Sequence, residues 1–407
     1  ITSLFGLIYI QIITLKSMTK IGRYAFSDNE AVTSVTVPGS VTEIGDGAFF
    51  DCKALAEVSL PAGLTSIGTD AFVGTALKNI RIPAGVTEIG ASAFAYCAAL
   101  ETVLLPERLA SIGEGAFRLC EKLREVTLPA GVTEIGASAF AYCAALETVL
   151  LPERLASIGE GAFRLCEKLR EVTLPAGLTE IADETFEHCT ALEAVVLPEN
   201  LVSVGAKAFE GCTALKAISL PGSVTEIGEG AFNGSGLTRI AIPAGVTAIA
   251  KSAFAYCASL AEVALPAGLK TVENSAFADC VKLARIDLPA GTEMVGKEAF
   301  ARCAALTAAT FPGSLTDIGD RAFSRCGQLA DVGFSDGVKI IGTGAFEWCP
   351  ALTSVTLPPS IEWVKREAFD TGGMKIGVKR KKPKFFPVGR WDKAWVGKGV
   401  KVKWNVK

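Results

Sequence analysis

The sequence predicts a β-rich α/β solenoid. The expected array has about 15 coils, each contributing short parallel strands and a short 3₁₀ or helical turn, with both ends capped. Three observations predict it. Residues Pro83 to Leu128 recur letter for letter as Pro129 to Leu174, a copy of 46 residues. A close-packed globular core has no room for such an insertion, whereas an array whose units touch only their neighbours simply lengthens. Prolines recur from Pro38 through Pro61, Pro83 and Pro106 to Pro312 and again at Pro358, at a period of 23 residues that twice shortens to 22. Eleven residues after each comes a phenylalanine, and with Phe26 opening the series, sixteen of the 22 phenylalanines share that register.

Read as one unit, the pattern is L-x-x-V-x-L-P-x-x-V-x-x-I-G-x-x-A-F-x-x-C. In Leu55 to Leu60, "LAEVSL", period-two alternation puts Val58 and Leu60 on one face and Glu57 and Ser59 on the other, which predicts a short strand. Pro61 cannot donate to a sheet ladder and closes it. "LTSIG" then returns Leu64 and Ile67 before Gly68, predicting a second extended piece and a bend; Ala182, Ala250, Glu273 and Lys365 take the glycine's place elsewhere. The remaining A-F-x-x-C is read as one turn of 3₁₀ or α-helix that points its ring inward. Stacked coils would then set Phe94, Phe117 and Phe140 ring over ring, in a spine that no single coil could bury.

The unit as it stands from Cys120 to Phe140 resembles the BspA-like leucine-rich repeat of bacterial and protist surface and secreted proteins. The resemblance covers about residues 21–372. It implies a parallel-stranded solenoid that binds other macromolecules and performs no chemistry. Departures are local. Phe311 and Phe334 replace the strand leucine, Ser335, Asp336 and Gly337 replace the proline turn, and the units around Gly74 and Gly234 are one residue short. They are expected to bend or bulge the array, not to end it.

All twelve cysteines fall three residues after a spine phenylalanine, and none forms a CxxC pair. One thiol per coil along a line does not converge as zinc ligands must, and parallel Cβ vectors one strand apart suit a disulfide poorly. A ladder of buried free thiols is expected, with no metal and no cofactor. Nucleophile-elbow, zincin, Walker A and EF-hand patterns are absent. The recurring "GEGAF" lacks the third glycine and long helix of a dinucleotide site. The single histidine, His188, is placed on the surface of a convex turn, and the column Glu88, Ser111, Glu134, Ser157, Glu180, Ser203 is read as a solvated face. Catalytic residues are none, and the chain is read as not an enzyme.

The ends differ from the middle. Residues 1–20 begin almost wholly apolar and read equally as a degenerate first coil or cap and as the remnant of a signal segment. Residues 373–407 form a basic, tryptophan-containing tail. From Met374 to Lys407 twelve Lys or Arg face one Asp, so this stretch carries +11 and the rest of the chain −14. Its "VKVKWNV" alternates like a strand that caps the array, and its W-D-x-x-W resembles the endings of bacterial BspA-like chains. Basic residues interleaved with tryptophan also suit a polyanion, with Lys379, Arg380, Lys381, Lys382, Trp391 and Trp395 as candidate contacts.

These readings converge on a surface-exposed or secreted binding or adhesion protein whose partner is a protein or other host or matrix macromolecule. The alternative is a polyanion-binding or envelope-associated scaffold acting through the tail. Neither reading takes a small-molecule substrate, and nucleic acid is the less favoured ligand of the tail. Candidate contacts are the outward residues two and four before each proline: Thr102, Leu104, Glu125, Thr127, Thr148, Leu150, Glu171, Thr173, Val196 and Arg239. Leu104, Leu150 and Val196 recur two coils apart, a spacing that can build an apolar patch.

Overall fold

The computed structural model describes residues 18–370, 372–379, 381 and 394–406. The chain divides into two compact units, Ile1–Pro198 and Glu199–Lys407. Each contains eight spine phenylalanines, Phe26 to Phe186 in the first and Phe209 to Phe369 in the second, so the sixteen turns slightly exceed the number expected.

Every turn of the first unit repeats one plan. A three-residue strand turns its middle side chain inward and its outer two outward; the middle one is buried in Thr102–Leu104, Glu125–Thr127 and Thr148–Leu150 and half-buried in Glu57–Ser59 and Ala194–Val196. Parallel pairing sets each against the residue 23 positions on, Val126 against Val149 for example. After the proline, a two-residue strand turns its apolar member inward. Seven of these, from Lys20–Ile21 to Ser157–Ile158, form one parallel sheet in chain order.

The A-F-x-x-C segment corrects the expectation. The described residues contain no helix, so the class is β, not α/β, and the helical turns are runs of tight turns. The backbone shows why. Ala139, Ala141 and Cys143 donate within the coil to the carbonyl three residues back, at 3.3, 3.0 and 3.2 Å. The amides between them, on Ser138, Phe140 and Tyr142, cross to the next coil and donate to Glu160, Ala162 and Arg164 at 2.7, 2.8 and 2.7 Å. A helix would turn every amide back along its own axis. Sending alternate amides outward requires left-handed backbone at Ser138 (φ 54°) and Tyr142 (φ 63°). The same two positions recur as Ser92 and Tyr96 one repeat earlier.

Inside this ladder the rings stack. In the first unit neighbouring centroids lie 5.2 to 5.6 Å apart with planes within 9° of parallel, the offset stacking that ring quadrupoles favour. From Phe49 to Phe186 every ring is fully buried.

The second unit follows the same plan, with centroid separations from 5.1 to 5.4 Å. Its two-residue strands from Ala248–Ile249 to Trp363–Val364 form a six-stranded parallel sheet. The sequence departures are absorbed locally. Phe311 and Phe334 pack at 5.1 Å and set their edges against Phe346. In the segment replacing the proline turn, Gly337 has φ 157° and a Cβ there would lie 1.9 Å from the Gly313 carbonyl oxygen, so only glycine fits. Beyond the repeats, Lys375–Val378 pairs with Ser354–Leu357, and Lys401–Trp404 pairs with Lys375–Val378, both parallel. Trp395 sets its ring edge against Phe369, 6.3 Å between centroids.

Removing one spine ring opens a void between two others. Phe140→Ala is expected to cost about 3–5 kcal/mol, whereas His188→Ala, on an exposed turn residue, is expected to stay within about 0.5 kcal/mol. Denaturant midpoints of the two variants check this, and comparable shifts would refute the inward spine.

Candidate functional site

The outward residues of the six three-residue strands from Asn79–Arg81 to Ala194–Val196 fall in two columns; Asn79–Arg81 pairs with Thr102–Leu104, and the four strands from Glu125–Thr127 to Ala194–Val196 form one parallel sheet at the strand spacing of ~4.8 Å. One holds Asn79, Thr102, Glu125, Thr148, Glu171 and Ala194; the other holds Arg81, Leu104, Thr127, Leu150, Thr173 and Val196. All twelve are exposed. Nine of the ten residues read from the sequence as candidate contacts therefore share one face of this unit. Arg239 is exposed on Arg239–Ala241 of the second unit. Leu104, Leu150 and Val196 are 53, 57 and 58% exposed, and a threonine separates each from the next.

A third row escaped the sequence reading. The residues that immediately precede these strands are Lys78, Glu101, Arg124, Glu147, Arg170 and Glu193, all exposed and alternating in sign from coil to coil. Counting back one position from each strand would have found them. None takes part in an ion pair among the described residues, although pairs of this kind close across coils elsewhere, as Lys251 does to Glu229 at 2.6 Å. An open concavity of about 980 Å³ adjoins the same face, lined by Val58, Arg81, Ile82, Leu104, Leu105 and Arg108 among others. No motif marks it, because it lies where the ends of three strands meet.

In the tail, Lys379 and Lys381 are exposed, and Lys375 and Lys401 stand in register on adjacent strands. Trp395 departs from its expected role: it is only 7% exposed against Phe369, so its ring offers no stacking face to a ligand. Alternation had shown the strand but not which tryptophan the last spine ring would recruit. Arg380, Lys382 and Trp391 lie outside the described residues.

All twelve thiols are free and buried. The described Sγ–H bonds run to the phenylalanine carbonyl of the preceding coil, 3.2 Å from Cys143 to Phe117 and 3.1 Å from Cys189 to Phe163, with a longer contact of 3.8 Å from Cys349 to the Glu347 carbonyl besides. At two of the positions where the cysteine is missing a hydroxyl stands instead: Thr75 donates to the carbonyl of Phe72 in its own coil at 3.0 Å, and Ser235 lies 3.3 Å from the Cys257 sulfur. Burial pushes the Cys143 and Cys189 thiols up to about 12, and Cys97 and Cys257 to about 11, from an ordinary value of 9.0. Thiolates are the nucleophiles and metal ligands of cysteine chemistry, and this ladder is held protonated. Glu88, Glu134 and Glu180, the acidic members of the other outward column, are exposed, as is His188.

A parallel-strand repeat solenoid with no helix among its described residues, and exposed outward residues in register on its strands, is a binding scaffold in its general class. The chain belongs to the BspA type leucine-rich repeat family, whose profile matches it in six copies over residues 19–147, 87–197, 133–261, 179–307 and 247–375. Leucine-rich repeat proteins generally bind other proteins. A leucine-rich repeat protein from Bacteroides ovatus is 29% identical, with a TM-score of 0.73 over 99% of this chain and 94% of that one. A leucine-rich repeat protein of T. pallidum is 30% identical, with a TM-score of 0.37, over 48% of this chain and 82% of that one. A leucine rich cell surface protein from Faecalibacterium prausnitzii is 23% identical, with a TM-score of 0.43, over 92% and 88%. None of the curated proteins matches the chain.

The thiols supply a test of the ladder. A raised folded-state value means that the unfolded chain gives up its thiol protons first, so this contribution to stability is complete below about pH 9. It is lost as pH rises from there towards about 12. The folded protein is expected to leave all twelve thiols unmodified by a neutral-pH thiol reagent and to titrate all twelve in denaturant. Rapid native labelling of several thiols would show that the ladder is open.

Proposed function

We propose that the chain is a non-enzymatic binding protein, displayed at a cell surface or secreted, that recognises another protein through the strand face of its first unit. The observation that carries this reading is the column of Leu104, Leu150 and Val196, large apolar side chains more than half exposed on paired strands. Side chains fixed on a strand ladder lose little freedom on binding, so their apolar area converts to affinity at low ordering cost. The family's usual role and the description of the Faecalibacterium prausnitzii relative as a cell surface protein support the reading. In this organisation residues 21–372 are the recognition array, residues 1–20 a first coil or signal remnant, and residues 373–407 a basic cap.

A second reading rests on the tail. Lys375, Lys379, Lys381, Lys398, Lys401 and Lys403 are exposed, and none is in an ion pair among the described residues. Such a set suits a polyanion, with binding that falls steeply with salt.

Leu104→Glu, Leu150→Glu and Val196→Glu together are expected to weaken capture of an extracellular-matrix protein by at least roughly 30-fold, the loss of one interface hot spot, with the denaturation midpoint unchanged. Equal capture by the folded triple variant moves the site off this face. Loss of capture instead on Lys375→Glu with Lys401→Glu, together with steep salt dependence, favours the tail.

A further inference from the structure

The alternating charge row and the apolar column are complementary to themselves. Consider a two-fold axis that lies in the plane of the face, parallel to the strands, and passes between Glu125–Thr127 and Thr148–Leu150. It reverses the order of the coils and leaves each row facing the same row of a second copy. Lys78 then meets Glu193, Glu101 meets Arg170, and Arg124 meets Glu147, so all six charges face the opposite sign. In the apolar column Leu104 faces Thr173 and Leu150 faces Thr127, which lets each leucine settle over a small side chain of the other sheet, while at the two edges Arg81 faces Val196. In the remaining column Glu125 faces Thr148 and Glu171 faces Thr102, so no two carboxylates oppose each other. An axis through a strand instead of between two would set like charges together, at a cost. The alternation is more than a by-product of the duplicated block, because Lys78 and Glu193 lie outside it and continue the pattern. The six charges also lack ion-pair partners within the described residues, which leaves them available.

We propose that this face binds a second copy of the chain, antiparallel and face to face, giving a homodimer. The proposal names the partner of the face identified above and rests on the reading of that face as the recognition surface. A second copy has the same two-coil period as the face itself, so the charge row matches along all six strands and the apolar column along the four inner ones. Six strands ~4.8 Å apart and some 15 Å wide cover on the order of 450 Å² per copy, at the small end of specific interfaces. A weak, reversible dimer is therefore expected, with a dissociation constant on the order of 10–100 μM.

Sedimentation of the full chain over a concentration series tests this with two charge variants. Glu101→Lys, Glu147→Lys and Glu193→Lys make the row wholly positive; Lys78→Glu, Arg124→Glu and Arg170→Glu make it wholly negative. Wild type is expected to dimerise, at least roughly tenfold more weakly when salt rises from about 0.05 to 0.5 M. Each variant is expected to remain monomeric alone, and the two mixed are expected to form a heterodimer. A wild type that stays monomeric to about 1 mM, either variant self-associating as wild type does, or a mixture that stays monomeric overturns the proposal. Should a triple variant fail to fold, a mixture of Arg124→Cys and Glu147→Cys chains is expected to cross-link under mild oxidation faster than one of Arg124→Cys and Arg170→Cys, and equal rates overturn it. If wild type is monomeric yet Leu104→Glu, Leu150→Glu and Val196→Glu abolish capture of another protein, self-association alone fails and the recognition face stands.

Discussion

The alternation of amides in the A-F-x-x-C run is the constraint on which the rest depends. Because Phe140 donates to Ala162 of the next coil while Ala139 and Ala141 donate within their own, this segment is both a turn and a rung between coils. It holds successive coils at one separation, and the rings carried by those rungs stack at 5.2 to 5.6 Å in the first unit. The strands alone are short, one of three residues and one of two in a turn of 23, as in Glu125–Thr127 and Glu134–Ile135. The cost is left-handed backbone at non-glycine residues, Ser138 and Tyr142 among them, which neighbouring coils hold in place.

The cysteine positions follow from the same rung. The phenylalanine carbonyl already accepts a strained bond from the amide three residues on, as Phe117 does from Cys120 at 3.2 Å, and it has a second lone pair in a dry interior. A thiol from the next coil reaches it, 3.2 Å from Cys143. At two coils a hydroxyl occupies the cysteine's position, and that of Thr75 turns instead to the Phe72 carbonyl of its own coil. Leaving the carbonyl half satisfied would cost more than the weak thiol bond contributes. The ladder is structural chemistry, and its buried, protonated sulfurs are unsuited to redox or metal work.

An interior held this rigidly frees the outward positions to vary. Every coil must keep its leucine, phenylalanine and small donor, but Thr102 and Leu104 are constrained only by the pleat. The outward strand positions of the two units differ accordingly. The first carries alternating charges beside an apolar column; the second ends in lysines on Lys375–Val378 and Lys401–Trp404.

Much of this was legible in the chain itself. Period-two alternation around Val58 and Val103 gave the inward and outward sides of each strand, since a pleat has no other way to bury every second residue. The 23-residue recurrence of phenylalanine and cysteine located the spine and the thiols, because identical coils repeat identical environments. The turn's conformation was not legible: an Ala-Phe pair is compatible with a helix locally, and only the next coil's carbonyls, 22 residues away in sequence, draw alternate amides outward. Trp395 was misplaced for a similar reason, because the ring of Phe369 that covers it is brought there by tertiary packing. Sequence by itself determined the period, the buried face and the outward residues of the strands, all of which are local and repeated. Tertiary structure decided the backbone of the turn, the fate of the terminal aromatics and the alignment of Lys78, Glu101 and Arg124 into one row. Each of those depends on which coil lies next to which.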